Sequence, residues 1–379
     1  MIRIAAPAAA GLCLAACIAE PEAPELAEID PATYAVEVVA GGLAHPWDIA
    51  FLPGGDMLVT ERPGRLRVIS GGVLQDEPVS GVPEVYAEGQ GGLLEIMLAP
   101  DFADSRIVYI SYASGDAEAN ATSVMKARYE DGALTGGEVI FTSSPAKDTT
   151  THFGGRMAVL PDSSIVLTLG DGFAYREQAQ LATNHLGTIV RFTPGGAPAP
   201  GNPFIDQDGP AAFVWSYGHR NVQGIVFDAQ SGLLYAHEHG PEGGDELNLI
   251  ERGGNYGWPI VTGGVDYNGA RISPYTDHEA HGFIAPMIEW TPSIAPGGMT
   301  LYDGALFEDW RGDLFVSALS ERAIHRIDLD ASGAVQSEEV MLTERGQRFR
   351  QIATGPDGAL YVLTDGGGDG EVLRITPAG

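Results

Sequence analysis

"THFGGRMAVLPDSSIVLTLGDG", residues 151–172, carries the pattern that sets the fold. Met157–Leu160 and Ile165–Leu169 are short apolar runs separated by the turn cluster Pro161-Asp162-Ser163-Ser164, which makes them antiparallel neighbours. The unit of a turn followed by a short apolar strand then recurs. It stands at "PGGDMLVT" from 53, "ADSRIVYISY" from 103, "PDSSIVLTL" from 161, "AQSGLLYAHE" from 229, "RGDLFVSAL" from 311 and "PDGALYVLT" from 356. Copies separated by tens of residues have the spacing of four-stranded blades with inserted loops. A single blade cannot cover both of its faces, so a closed ring is required. The expectation is an all-β chain: one six-bladed β-propeller of four-stranded antiparallel blades over residues 34–379. "YAVEVVA" (34–40) should complete the last blade, in one sheet with residues 360–375.

Composition agrees with that reading and narrows the partners. The chain has 44% hydrophobic residues with 51 Gly and 25 Pro, which favours many short strands over long helices. Its formal charge is −30, from 21 basic against 51 acidic residues, and Lys126 and Lys147 are its two lysines. Such a field repels nucleic acid and anionic membrane surfaces. The first 16 residues have an early Arg and an apolar run of small residues, as a signal peptide does. "LAAC" (14–17) resembles a bacterial lipobox. Cys17 is then expected to carry lipid and residues 17–33 to form a flexible tether. The implied location is the bacterial cell envelope, as a lipoprotein of the outer membrane facing the periplasm, touching membrane only through that anchor. Loss of Cys13 with the signal peptide leaves one cysteine and no disulfide.

The open end of the hairpin raises the question of chemistry. If Leu160 pairs with Ile165, Asp171 falls opposite Gly154 and His152 opposite Phe173, so His152 and Asp171 become diagonal neighbours. A β-bulge would separate them. A general base with its orienting carboxylate and a structural histidine both satisfy this pattern. Elsewhere, Gln90 sits in the Gly-rich turn of "EGQGGLLEIMLAPDF" (88–102), and His219, Arg220 and Asn221 lead into an apolar strand in "WSYGHRNVQGIVFD" (215–228). "HEHGPEGGDELNLIERGGNYGWP" (237–259) offers carboxylates and turn carbonyls that suit calcium, while its His-x-His lacks a third zinc ligand at a convincing spacing. In "RFRQIATGPDGALYVLTDG" (348–366), Arg348 and Arg350 are two apart and face one way on an extended strand. They either bracket an anion with several oxygens or pair with nearby Asp.

The ordered set "HPWDIAFLPGGDMLVTERPGRLRVI", "GQGGLLEIMLAPDF", "HFGGRM", "TLGDG", "YGHRNVQGIVFD", "HGPEGGDELNLIERGGNYGWP", "SIAPGGM" and "RFRQIATGPDGALYVLTD" closely resembles the soluble pyrroloquinoline-quinone-dependent aldose and glucose dehydrogenases over nearly all of 34–377. The resemblance implies a six-bladed propeller and oxidation of an aldose at its anomeric carbon to a lactone. Hydride would pass to pyrroloquinoline quinone (PQQ), and electrons would go on to an acceptor the sequence does not name. It makes His152 the general base and Asp171 its partner. Gln90, Arg220, Asn221, Arg348 and Arg350 would bind the cofactor, and the carbonyls of Gly240 and Pro241 would hold Ca2+. The sequence departs from the family where a quinone-contacting lysine often follows "AL", since Ser320 and Glu321 stand there and only Arg322 is near. Thr188 replaces another frequent lysine. Two rival readings follow: a non-catalytic propeller binding glycans or a protein, and a calcium-dependent lactone or ester hydrolase using His152 without quinone. Sugar preference is expected to lie in loops such as 262–285.

Overall fold

A computed structural model describes residues 26–379. The expected signal peptide, Cys17 and the expected tether up to residue 25 lie outside the described residues. Six sheets follow one another in chain order, each antiparallel and four-stranded in its blade. The innermost strands are Pro46–Phe51, Leu93–Leu98, Met157–Val159, Val222–Phe227, Pro296–Leu301 and Phe349–Thr354. Tyr34–Leu43 closes the ring by pairing with Gly370–Pro377 on the outside of the last blade, as the pattern of 34–40 predicts.

The six turn-strand copies are all second strands: Met57–Glu61, Ile107–Gly115, Ile165–Thr168, Leu234–Glu238, Leu314–Ala318 and Leu360–Thr364. Their position explains their composition. Each second strand is packed on both faces by neighbouring blades, so Met57–Glu61, Leu234–Glu238 and Leu314–Ala318 are buried at every residue. A continuous apolar run is the sequence mark of a strand with two covered faces. The outer strand Tyr34–Leu43, with one face free, mixes buried with exposed positions instead. The core is therefore a set of layers between blades. One holds Leu58 and Leu66 of the first blade against Ile96, Val108 and Ile110 of the second.

Two expectations are corrected here. The tether reading fails for its last residues, because Ala27–Glu28 pairs in parallel with Glu339–Val340 and adds a fifth strand to the fifth blade. The hairpin register is one residue off: Ile165 pairs with Val159, not Leu160. Regular pairing also stops at Met157, because Gly154 (φ +64°) and Gly155 (φ +105°) turn the chain away. A Cβ at Gly154 would stand 2.4 Å from the Thr168 carbonyl oxygen, so this turn needs glycine.

Arg156 of "HFGGR" belongs to the fold rather than to the chemistry. Its guanidinium lies 3.7 Å from the Trp47 ring and bonds Asp48 Oδ1 at 3.1 Å, the Gln223 carbonyl at 3.0 Å and the Gly297 carbonyl at 3.1 Å. Glu95 Oε2 is 3.9 Å away, and Asp48 also accepts from Gln351 Nε2 at 2.5 Å. Arg156 of the third blade is thus the centre of one buried network that takes in residues from the innermost strands of the other five, Gln351 joining it through Asp48. Burial and the neighbouring Asp48 push Glu95 well above the usual carboxylate range.

Candidate active site

Antiparallel pairing brings the starts of the innermost strands and the ends of the second strands to one rim. Gln90, His152, Arg220 and Arg348 precede innermost strands; Arg62, Asp171, Gly240 and Asp365 follow second strands. These segments surround a cavity of about 340 Å³ lined by Trp47, Arg62, Gln90, Asn221, Arg348 and Arg350, among others.

The dyad is present although the register that suggested it is not. His152 has φ +54°, and the Gly154–Gly155 turn swings its ring onto Asp171, with Nδ1 2.6 Å from Oδ1. Both groups are buried. Asp171 is fixed on every side: Oδ1 also accepts the Phe173 N–H at 2.7 Å, and Oδ2 accepts Trp258 Nε1–H at 2.8 Å. Gln90 Oε1 accepts the His152 N–H at 2.8 Å, and Asn221 Oδ1 accepts the Gly154 N–H at 3.2 Å, so both hold the loop that carries the base. Burial depresses the His152 pKa; Asp171 opposes the shift and the cations of Arg220 and Lys147 reinforce it. The ring is therefore neutral at neutral pH. Its Nδ1–H is committed to a carboxylate, which leaves Nε2 as a basic atom.

His152 and Asp171 lie behind the cavity lining, next to Phe153 and Gly154, and the cavity wall is cationic. Arg350 is largely but not fully buried, and desolvation together with Arg156, Arg62 and Arg348 pushes its pKa down to about 10 against the pull of Asp365. Asp365 Oδ2 lies 3.7 Å from Arg350 Nη2 and 3.1 Å from Arg348 Nη2. The arginines thus pair with a nearby Asp, one of the two readings of this pair, and they also line a cavity. One carboxylate against three crowded guanidiniums leaves the wall short of negative charge, and a ligand with several carboxylates fits it.

Arg220 is buried beside this cavity. Its Nη1 donates to the Gly240 carbonyl and, at 3.2 Å, to that of His239. The Gly240 carbonyl thus already faces a cation, as an oxygen ligand of calcium would, and the ion would compete there with the guanidinium. Among the described residues, no group of three or more His, Cys, Asp or Glu side chains is placed to hold a metal. His239 Nε2 contacts the Pro296 carbonyl at 2.7 Å, while His237 is buried without a partner, so the His-x-His pair does not converge.

The lysine departure also has a structural outcome. Ser320 is exposed, Arg322 turns to the Gly346 carbonyl at 3.2 Å, and Thr188 is buried with its hydroxyl on the His185 carbonyl at 2.9 Å. Arg62 is a third cation lining the cavity. Sequence reasoning passed over it because "TERPG" reads as a turn after a strand. Trp258, in the quoted "NYGWP", was passed over too; an indole so far along the chain gives no local sign that it caps Asp171.

The glucose/sorbosone dehydrogenase family model matches residues 43–374. The aldose sugar dehydrogenase YliI of Escherichia coli is 40% identical over 351 residues, covering 92% of this chain and 94% of that protein. Quinoprotein glucose dehydrogenase B of Acinetobacter calcoaceticus is 28% identical over 418 residues, covering 88% and 86%. The PQQ-bound structure of an aldose sugar dehydrogenase from Streptomyces coelicolor superposes with a TM-score of 0.74 at 32% identity, covering 92% of this chain and 99% of that one. Six blades, a buried His–Asp dyad and a cationic cavity at one rim thus occur in a chain that belongs to the glucose/sorbosone dehydrogenase family.

Proposed function

We propose that this chain oxidises aldoses at the anomeric carbon to lactones, with PQQ as cofactor and His152 as general base. The observation that carries the reading is a neutral, buried imidazole with one nitrogen fixed by Asp171, beside a cavity with a surplus of guanidinium. When bound, PQQ supplies a two-electron acceptor for the hydride leaving C1 of the sugar.

The chain's own residues do the rest. Nε2 of His152 takes the proton of the anomeric hydroxyl as the C1–H bond breaks, so that a C=O double bond forms and both electrons leave with the hydride. Asp171 stabilises the resulting imidazolium and, held by Trp258 and the Phe173 N–H, keeps the ring in one tautomer. Gln90 and Asn221 position the loop of the base. Arg62, Arg348 and Arg350 answer the cofactor's carboxylates. Calcium on the carbonyls of Gly240 and Pro241 is part of this reading, supported by the hard oxygen donors of that turn; Arg220, which donates to the Gly240 carbonyl, would have to yield it to the ion. It would act as a Lewis acid on the cofactor.

Purified protein given PQQ and calcium should reduce a redox dye when aldoses are added, and chelator should prevent the reconstitution. Spectroscopically demonstrated PQQ binding without dye reduction by any aldose would overturn the reading. The envelope location is proposed on "LAAC" alone; mass spectrometry should find diacylglycerol on Cys17, and a mature protein without it would end that part.

A further inference from the structure

Two large aromatic side chains stand in the open beside the dyad, and the cofactor cavity does not use them. Phe173 is 49% exposed and Tyr267 60%. The Phe173 ring meets the His152 imidazole edge-on at 5.3 Å, and Tyr267 lies against Phe173 at 6.4 Å with the ring planes 24° apart. The chain holds this arrangement at a cost. Phe173 has φ +66°, a left-handed conformation that suits Gly or Asn and is strained for a bulky residue. Packing does not demand it, since half the ring is in solvent. What fixes it is the hydrogen bond from its own N–H to Asp171 Oδ1, so the ring is aimed by the same carboxylate that aims the base.

Tyr267 is placed as deliberately. It sits at the tip of a small hairpin in which Val265 pairs with Arg271 and Asp266 accepts from the Gly269 N–H at 2.7 Å. Val265 also bridges to Glu242, next to the Gly240–Pro241 turn. The Tyr267 hydroxyl accepts from Arg220 Nη2 at 3.3 Å, and Asp266 Oδ2 lies 3.9 Å from Arg176 Nη1, just beyond Phe173 in sequence. Two loops from different blades are thus pinned so that their exposed rings form one surface running outward from His152.

We propose that Phe173 and Tyr267 form a sugar-binding wall that takes the C–H face of a pyranose ring and sets substrate preference. This rests on His152 acting on the anomeric hydroxyl. Aromatic faces bind the apolar face of a sugar while its hydroxyls stay in water, which gives an exposed ring beside a base a purpose. With the reacting hydroxyl at Nε2, the wall carries contacts from Phe173 outward to Tyr267, past a single ring. A unit linked to the reacting aldose gains most from Tyr267.

The test uses holoenzyme reconstituted with PQQ and calcium, with glucose and a reducing disaccharide as substrates. Tyr267→Ala should raise KM for the disaccharide about five- to tenfold, with a smaller change for glucose and kcat nearly kept. Tyr267→Phe, which keeps the ring and loses only the bond from Arg220 to the hydroxyl, should raise KM for the disaccharide far less than Tyr267→Ala. Phe173→Gly, which also relieves the strained backbone, should raise KM for both sugars. Saturation transfer from a non-oxidisable methyl glycoside to aromatic protons reads the wall independently of turnover. It should be present in wild type and reduced in both ring deletions. If no aldose is oxidised but this transfer behaves as stated, the dehydrogenase reading fails and the wall stands. Unchanged KM values and unchanged transfer in Tyr267→Ala and Phe173→Gly would overturn the wall.

Discussion

Nδ1 of His152 lies 2.6 Å from Oδ1 of Asp171, and the indole of Trp258 closes the far side of that carboxylate at 2.8 Å. A carboxylate held this way acts on the ring in two opposed senses. Its charge favours the imidazolium and lifts the His152 pKa, while burial, the stronger influence, lowers it. Base catalysis needs the neutral ring, so activity is present above the His152 pKa and falls as pH drops through it.

The acid limb of kcat/KM should accordingly lie below the ordinary histidine pKa of 6.5. Asp171→Asn removes the one charge that raises the pKa, so the limb should move to still lower pH. Turnover at neutral pH should fall on the order of 10²-fold, because the tautomer is no longer enforced. A pH–rate profile checks both. A limb that moves upward would contradict the arrangement.

Cofactor affinity should depend on the cationic wall. Arg350→Ala should weaken PQQ binding roughly 10²-fold, the scale of a lost charge-assisted pair, and Arg62→Ala about tenfold. Absorbance titration with PQQ measures each. Arg322→Ala should leave affinity as it is, since that side chain turns to the Gly346 carbonyl.

Arg156→Met should destabilise the ring by about 3–5 kcal/mol, because Asp48 and Glu95 are left buried without their cation. Urea unfolding gives the value. Replacing Asp48 in addition, by Asn, should cost less than the sum of the two single changes, since the residues share one interaction.

The blade count and closing strand were legible because a second strand covered on both faces leaves a run of apolar residues after a turn, and each blade supplies one. Register was less so. "HFGGRM" looks like the continuation of a strand, and only the positive φ of Gly154 and Gly155 shows that the chain leaves the ladder there. The His–Asp contact was therefore reached by a wrong path: the expected diagonal pair is replaced by a turn that rotates His152 onto Asp171. Arg348 and Arg350 could be read because they stand two apart at the entry to one strand. Arg62, Trp258 and Tyr267 could not, because each acts on a partner from another blade or a distant loop, and spacing along the chain carries no trace of that. The Gly240 carbonyl is named by the family resemblance rather than by the residues around it, and its engagement by Arg220 is a three-dimensional fact.

The most direct test is His152→Gln, which keeps a polar side chain but removes the basic nitrogen. Turnover with saturating aldose should fall on the order of 10²–10⁴-fold, while PQQ titration gives an affinity close to that of wild type. Dye reduction at near wild-type rates in a variant that still binds PQQ would show that His152 is not the base.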